Sequence, residues 1–568
     1  MFMIYRDRYH LWCKIAPLSE AGIKVLKVMA NDDDEMKSAF GAELQFGTAG
    51  IRGIMGLGTN RLNDFTVRRT AQGLAAWLTS TDLPHSCAIG YDSRHHSRRF
   101  AEICAVALAQ EGVKVYVYHE LAPTPMLSYA VRQLGCGCGI VVSASHNAGT
   151  YNGIKCYGPD GCQMTDEPAA IVYDKISQIP YFILPKKNFD DCLADGSVAL
   201  IDAEMWENYY NTVLAERIAT TPSNNLNLLY TPLCGTGNKP VREVLSRIGV
   251  NTDIVKVQEE PDGDFKTCEY PNPETDAALN ESYKIARQTH PDLILGTDPD
   301  CDRVAVAVPE ADGFRKLSGN ELGCLLLDYI LGELSAQGKL PENPVAVRSI
   351  VSTPLADKIA AKYGVKMKAV LTGFKYIGGE ILALEEKHEE HRFVFGFEES
   401  CGYLKGTYAR DKDAVVASML TCDLAAKLKR DGMDLAQKMD QLYAELGYHE
   451  AKVISIELKG PNAMELSAKF MSDFRSNVPS KLAGVSVTEF TDYQSCVCKN
   501  MLTGEECAVT LPKSNVVTLV LGDKGSVIVR PSGTEPKVKL YLTAVDQNPG
   551  KAKDLLSRLG EAMNAFVP

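Results

Sequence analysis

Four short stretches of this chain gather hydroxyl, carboxylate and guanidinium groups at spacings that chemistry can use. At 141–153 the run Val-Val-Ser-Ala-Ser-His-Asn-Ala-Gly-Thr-Tyr-Asn-Gly places Ser145 beside His146 and Asn147. An apolar strand ending in such a sequence presents a hydroxyl at the carboxyl edge of a sheet, where α/β proteins place their chemistry. A polar turn would also use Asn and Gly. A turn that Gly149 can make alone, however, needs neither His nor Asn directly after Ser145, so Ser145 is the candidate nucleophile.

At 296–303, Gly-Thr-Asp-Pro-Asp-Cys-Asp-Arg spaces its acidic residues at Asp298, Asp300 and Asp302. Alternate positions of an extended segment share a face, so the three carboxylates can converge on one hard divalent cation. Packed that closely they repel one another unless positive charge lies among them. An EF-hand loop is excluded, because it needs Gly at its sixth position and Glu at its twelfth, which here are Arg303 and Pro309. Three carboxylates leave room for a phosphoryl oxygen, the arrangement of Mg²⁺ at a phosphate-handling site. At 396–403, Gly-Phe-Glu-Glu-Ser-Cys-Gly-Tyr offers Glu398 and Ser400, which can bind sugar hydroxyls; acidic residues in the first turn of a helix would account for it equally well. At 530–536, Arg-Pro-Ser-Gly-Thr-Glu-Pro has the composition of a phosphate nest built from Arg530, Ser532, Gly533 and Thr534, with a solvated turn between strands as the alternative.

The elements that must hold these stretches repeat one alternation. A strand at 87–91, a helix at 97–111, a strand at 114–118, a helix at 125–134 and a strand at 139–143 precede the serine stretch, and their apolar periodicity is βαβα, which implies a parallel sheet. The pattern restarts at 227–230 and 344–349, whereas from 451–458 strands dominate up to a final helix at 550–565. A chain of 568 residues exceeds the roughly 250–300 that one core can serve. Charged or Pro-rich junctions near 215–225, 309–320 and 441–450 divide it into four domains, 1–215, 216–318, 319–445 and 446–568. The fold class is α/β, with three mixed or parallel α/β sandwiches followed by an α+β domain.

Composition narrows the function classes. Hydrophobic residues at 45% and charged residues at 23% are average for packed proteins and exclude disorder or coiled coil for the chain as a whole. A net charge of −12 argues against a sequence-independent grip on nucleic acid. The seventeen cysteines are scattered through apolar segments, and neither Cys136-Gly-Cys138 nor Cys496-Val-Cys498 has the spacing of a zinc knuckle. They are expected to be reduced thiols. No apolar run approaches the ~20 residues of a membrane span, and the first residues lack a signal-peptide core, so the expected location is the cytoplasm. A Gly-x-x-x-x-Gly-Lys-Ser/Thr loop and a Gly-x-Ser-x-Gly elbow are both missing.

Taken together, eight stretches in order resemble the α-D-phosphohexomutase superfamily: 46–53 (FGTAGIRG), 90–94 (GYDSR), 143–157 (SASHNAGTYNGIKCY), 296–303 (GTDPDCDR), 372–378 (TGFKYIG), 396–403 (GFEESCGY), 410–415 (RDKDAV) and 530–537 (RPSGTEPK). The Asp-Pro-Asp-x-Asp and Glu-Glu-Ser-x-Gly-Tyr loops are similar to the branch of long phosphoglucomutases and phosphopentomutases. One departure is Ala148, where the family generally has proline; alanine is expected to loosen the loop without removing a catalytic group.

The resemblance implies four domains around a central cleft and interconversion of glucose 1-phosphate and glucose 6-phosphate through a phosphoserine at Ser145 and glucose 1,6-bisphosphate. Mannose or pentose phosphates are the alternative substrates. It further implies Mg²⁺ on Asp298, Asp300, Asp302 and a phosphoryl oxygen at Ser145, with Arg52 and Arg303 neutralising the migrating group. His146 and Lys155 are both candidates for proton transfer. Lys375, Glu398, Ser400, Arg410 and Lys412 would hold the sugar phosphate, and Arg530, Ser532, Gly533 and Thr534 the phosphate that does not react. The expected partner is a small sugar phosphate, with no nucleic acid or membrane, and the chain is expected to be a monomer or weak homo-oligomer. A serine- and metal-dependent phosphatase is the rival activity, disfavoured by the 530–536 loop, and a catalytically silent sugar-phosphate binder is the rival outside catalysis.

Overall fold

Strands buried on both faces read as continuous apolar runs, and three of them carry the architecture. Cys138–Val142, Leu293–Thr297 and Phe393–Glu398 are buried along their whole length, and each lies inside a separate sheet of a computed structural model that describes residues 4–47, 50–458, 463–531 and 537–566. The first sheet has six strands in the order Gly50–Ile54, Tyr151–Tyr157, Cys138–Val142, Ser86–Tyr91, Lys114–Tyr118, Val198–Ile201. Its last four run parallel. The second runs Gly313–Lys316, Val304–Glu310, Leu293–Thr297, Asn227–Thr231, Asn251–Ile254, and the third Lys366–Val370, Val345–Ser349, Phe393–Glu398, Gly402–Leu404. A fourth, seven-stranded sheet spanning 448–546 is antiparallel throughout. The expected fold class is the one found: mixed α/β three times, then an α+β unit.

The βαβα reading implied parallel sheets, but in each of the first three the strand after the buried one turns back on it. Tyr151–Tyr157, Val304–Glu310 and Gly402–Leu404 return antiparallel to the buried strand before them. The connections, 143–150, 298–303 and 399–401, are shorter than the dozen or so residues a parallel crossover needs. Each connection passes through a non-glycine residue in the left-handed region: Ser145 at φ 53°, Cys301 at φ 53° and Cys401 at φ 62°. Such a conformation is uncommon for L-residues and marks a deliberately sharp turn. The serine, aspartate and glutamate stretches are therefore three versions of one hairpin at the end of a buried strand.

One apolar cluster runs without interruption from Ala88 to Leu442 through the first three sheets, and a second fills the other face of the first sheet. The fourth unit has its own core, from Leu458 to Met563 around Val517, Leu519 and Leu540. It meets the third through Val351 and Leu371 on one side and Tyr493, Val516, Ile528 and Tyr541 on the other. Ahead of the first sheet, helices Ile4–Ile15, Glu20–Met29 and Asp33–Phe40 pack around Trp12, whose ring meets Phe40, Phe65 and Phe182 edge to face.

Candidate active site

The serine hairpin is held from beneath by one guanidinium. Arg94, buried at the end of the strand Ser86–Tyr91, donates from Nη2 to the carbonyls of Ser145 at 2.6 Å and Asn147 at 2.5 Å, and from Nη1 to those of Ala148 at 2.8 Å and Tyr151 at 3.1 Å. Its Nε faces Asp92 Oδ2 at 3.3 Å, and its charge lies 4.9 Å from the centre of the Phe265 ring. Four carbonyls on one planar fork fix the loop that carries Ala148. Sequence reasoning quoted Arg94 only as part of a motif and gave it no role. Replacing Arg94 with lysine keeps a charge but cannot bridge four acceptors. Turnover should fall about a hundredfold, the usual result of misplacing a reacting group by an ångström, while far-ultraviolet circular dichroism stays unchanged; steady-state kinetics of that variant checks it.

Ser145 is buried. Its amide donates to Ser143 Oγ at 2.8 Å, its hydroxyl donates to Asp298 Oδ2 at 3.0 Å, and its Oγ lies 3.1 Å from His146 Nδ1. Burial, with the charges of Arg303 and Arg52 nearby, holds His146 well below the ordinary imidazole range, so its ring is neutral. Arg52 Nη1 donates to Asn147 Oδ1 at 3.2 Å.

The aspartate hairpin folds on itself, because Asp298 Oδ1 accepts the amides of Asp302 at 3.1 Å and Arg303 at 3.0 Å. Asp298, Asp300 and Asp302 are all buried, and each offers an oxygen within 4.8 Å of the others. Asp300 Oδ2 accepts from Thr124 Oγ1 at 3.0 Å and Lys155 Nζ at 2.6 Å; Asp302 Oδ2 lies 3.4 Å from Lys155 Nζ and 3.2 Å from Lys412 Nζ. Burial and the neighbouring Asp302 and Asp300 push the Asp298 carboxyl well above its usual range. Burial acts the same way on Asp300 and Asp302, but the two lysines outweigh it and hold both below. Burial opposes the Lys155 charge, yet the paired aspartates raise its pKa, so Lys155 remains an ammonium. Two oxygens, Asp300 Oδ1 and Asp302 Oδ1, are buried with no hydrogen-bond partner. Buried acceptors are otherwise almost always satisfied, and a hard set of carboxylate oxygens left open in this way fits a divalent cation.

The other units clamp this hairpin. Thr124 N donates to Asp300 O at 2.9 Å, Ala414 N to Cys301 O at 3.3 Å and Val304 N to Cys401 O at 3.1 Å. Ala414 opens the buried helix Ala414–Arg430, capped by Asp413, whose Oδ1 accepts from Val415 N at 2.7 Å and whose Oδ2 accepts from Tyr209 and Tyr408. Arg303 donates to Glu274 Oε1 at 2.5 Å, a carboxylate that sequence reasoning missed because nothing in its spacing links it to the hairpin.

In the glutamate hairpin, Glu398 Oε1 accepts from Gly373 N at 2.6 Å. Gly373, at φ 121°, adopts a conformation that L side chains rarely enter. Glu399 Oε2 accepts from Ser349 Oγ at 3.0 Å; burial and the adjacent Glu398 push its carboxyl up to about 7. Ser400 is part-buried at the turn. Lys412 also pairs with Asp411 at 2.8 Å, and Lys375 donates to Asp166 Oδ1 at 2.6 Å. Arg410 sits two residues before Lys412. It is fully buried, its guanidinium bound to Glu385 at 2.7 Å and to the Thr407 carbonyl. The Arg530 charge and the Glu399 carboxylate both act on the Tyr541 hydroxyl. Ser532, Gly533 and Thr534 lie outside the described residues.

Three sheets that bring their hairpins together, with an antiparallel unit docked on the third, define a class of four-domain α/β proteins in which a serine faces an acidic, metal-type loop. Models of the phosphoglucomutase/phosphomannomutase α/β/α domains I, II and III match residues 43–181, 207–313 and 318–446, and the model of its C-terminal domain matches 509–552. The chain belongs to the phosphoglucomutase/phosphomannomutase family. Over 515 residues, 90% of this chain and 92% of the relative, it is 37% identical to a phosphoglucomutase of Staphylococcus epidermidis. A phosphoglucomutase of Staphylococcus aureus is 36% identical over 91% of this chain and 92% of its own. A phosphoglucomutase/phosphomannomutase family protein from Burkholderia thailandensis shares the fold, with TM-score 0.68 over 92% of this chain and 97% of that one, at 17% identity. Among the described residues no helix is long and apolar enough to cross a membrane, and all seventeen cysteines are free thiols.

Proposed function

We propose that this protein is a phosphosugar mutase that interconverts glucose 1-phosphate and glucose 6-phosphate. The observation that carries the reading is a serine hydroxyl held 3.0 Å from one aspartate of a buried triad and 3.1 Å from a neutral imidazole. Asp298, Asp300, Asp302 and an oxygen on Ser145 would hold Mg²⁺, which when bound supplies charge neutralisation for the phosphoryl group. Ser145 carries the phosphoryl and gives it to the free hydroxyl of the sugar monophosphate; the resulting glucose 1,6-bisphosphate reorients and returns its other phosphate to Ser145. His146 exchanges the proton at Ser145 Oγ, since the Lys155 ammonium is committed to Asp300 and Asp302. Arg52 and Arg303 face the migrating charge, while Lys375, Glu398, Ser400 and Lys412 orient the sugar. Phosphoryl transfer asks for positioning and charge more than covalent help, which is what these residues provide. Four domains dividing near 215, 318 and 445, a monomeric or weakly associated state and a cytoplasmic location belong to the same proposal, the last supported by the free thiols.

A coupled assay with glucose 1-phosphate, mannose 1-phosphate and ribose 1-phosphate, each with and without added bisphosphate, tests the substrate. A mutase must also hold the second phosphate while the sugar turns. Arg530→Ala therefore should raise KM by about ten- to a hundredfold, the worth of a charge-assisted contact of roughly 1.5–3 kcal/mol, and leak bisphosphate into solution. Stoichiometric inorganic phosphate from the wild type, without isomerised product, would make the protein a phosphatase instead.

A further inference from the structure

Far from the serine and the aspartates, the outer edge of the fourth sheet places two cysteines face to face. Cys498 lies in the strand Val497–Asn500 and Cys507 in the edge strand Glu506–Ala508, and the antiparallel register sets each opposite the other. Asn500 N donates to Glu505 O at 2.8 Å and Val509 N to Cys496 O at 2.9 Å. Hydrogen-bonded pairs alternate along such a ladder, so Cys498 and Cys507, midway between these two, form one as well, with Cα atoms about 5.5 Å apart. That separation falls within the roughly 4.4–6.8 Å that a disulfide spans. Directly opposed residues share a face, so both thiols stand on the same side of the sheet.

Accessibility separates this pair from the rest. Thirteen of the seventeen cysteines are buried, whereas Cys507 is exposed and Cys498 part-exposed. Cys13 is also exposed, on the first N-terminal helix, and Cys496 directs its sulfur to the carbonyls of Tyr493 and Leu511. We propose that Cys498 and Cys507 are a modification site, a reversible clasp closed as an intramolecular disulfide by a two-electron oxidant of the peroxide class.

The step balances with peroxide as the only co-reactant. The Cys507 thiolate attacks one peroxide oxygen and the O–O bond breaks, giving a sulfenic acid on Cys507 and a hydroxide that takes up the thiol proton as water. Cys498 sulfur then attacks Cys507 sulfur; the S–S bond forms, the S–O bond breaks, and the hydroxyl leaves as a second water with the Cys498 proton. Two thiols are oxidised, the peroxide is reduced to two waters, and a small thiol reverses the reaction by exchange. The order follows from exposure, and burial together with the Glu489 carboxylate, which pushes the Cys498 thiol up to about 11, leaves Cys498 as the resolving partner. The edge strand continues into Val509 and Leu511, which pack in the contact with Val351 and Leu371 of the third unit, so the clasp fastens a hairpin that docks one unit on another.

The test uses the full chain, fully reduced, treated with hydrogen peroxide, alkylated and analysed by intact mass and peptide mapping. The wild type should lose two alkylatable thiols and two hydrogens, with a cross-linked peptide joining 498 to 507, and dithiothreitol should restore both thiols. Cys498→Ser should stop at a sulfenic acid on Cys507 that dimedone traps, and Cys507→Ser should form no cross-link at 498. A wild type whose Cys507 proceeds to sulfinic acid unlinked, or whose disulfide joins other cysteines or two chains on a non-reducing gel, would overturn the proposal.

Discussion

Ser145→Ala should leave a folded protein with turnover reduced at least about a thousandfold, as removal of a nucleophile does elsewhere. The wild type, but not the variant, should carry a phosphate adduct by intact mass. Nothing in the fold rests on the hydroxyl beyond its hydrogen bonds with Asp298 and His146, each worth about 1 kcal/mol. The hairpin itself is fixed through backbone groups, the Ser145 amide on Ser143 and the Ser145 carbonyl on Arg94, which alanine keeps. Thermal melting should therefore move little while activity is lost. Near-normal turnover in the variant would place the nucleophile elsewhere.

Asp300→Asn should be almost as damaging, for a different reason. Asp300 supplies one of the two unsatisfied buried oxygens of the triad and accepts the shortest contact from Lys155, at 2.6 Å. The amide removes one of three negative charges, so Mg²⁺ should bind more weakly and turnover fall by orders of magnitude, with partial recovery only at high metal. Calorimetric titration of Mg²⁺ into wild type and variant measures this directly. A chelator should silence the wild type; a wild type indifferent to chelator, or a variant of unchanged rate, would contradict the metal reading.

Both targets were legible in the sequence because each is local: a hydroxyl or three carboxylates within a few residues, directly after a buried strand. The parallel cores were legible for a similar reason, since strands such as Leu293–Thr297 are buried on both faces and leave unbroken apolar runs. What escaped was non-local. Arg94 acts on carbonyls more than fifty residues away, Thr124 on Asp300 across separate units and Glu274 on Arg303 within one unit but outside the hairpin, and no spacing rule reaches so far. The direction of the antiparallel returns escaped because an apolar run marks a strand without orienting it, and only the length of the connection reveals the direction. Nor does the sequence tell neighbours apart: Lys412 reaches Asp302, while Arg410, two residues before it, pairs with Glu385.

The separation of cores described above also has a thermodynamic meaning. The first three sheets share one apolar interior, whereas the fourth owns its own and touches the third through a small patch around Val351, Leu371, Tyr493 and Ile528. Cooperativity follows shared burial, so the first three sheets are expected to unfold as one unit and the fourth as a second. A ligand that spans Glu398 on the large unit and Arg530 on the small one enters both equilibria at once. Its binding free energy becomes coupling energy between two otherwise nearly independent bodies, and the tighter the ligand is held, the more nearly the chain melts as one.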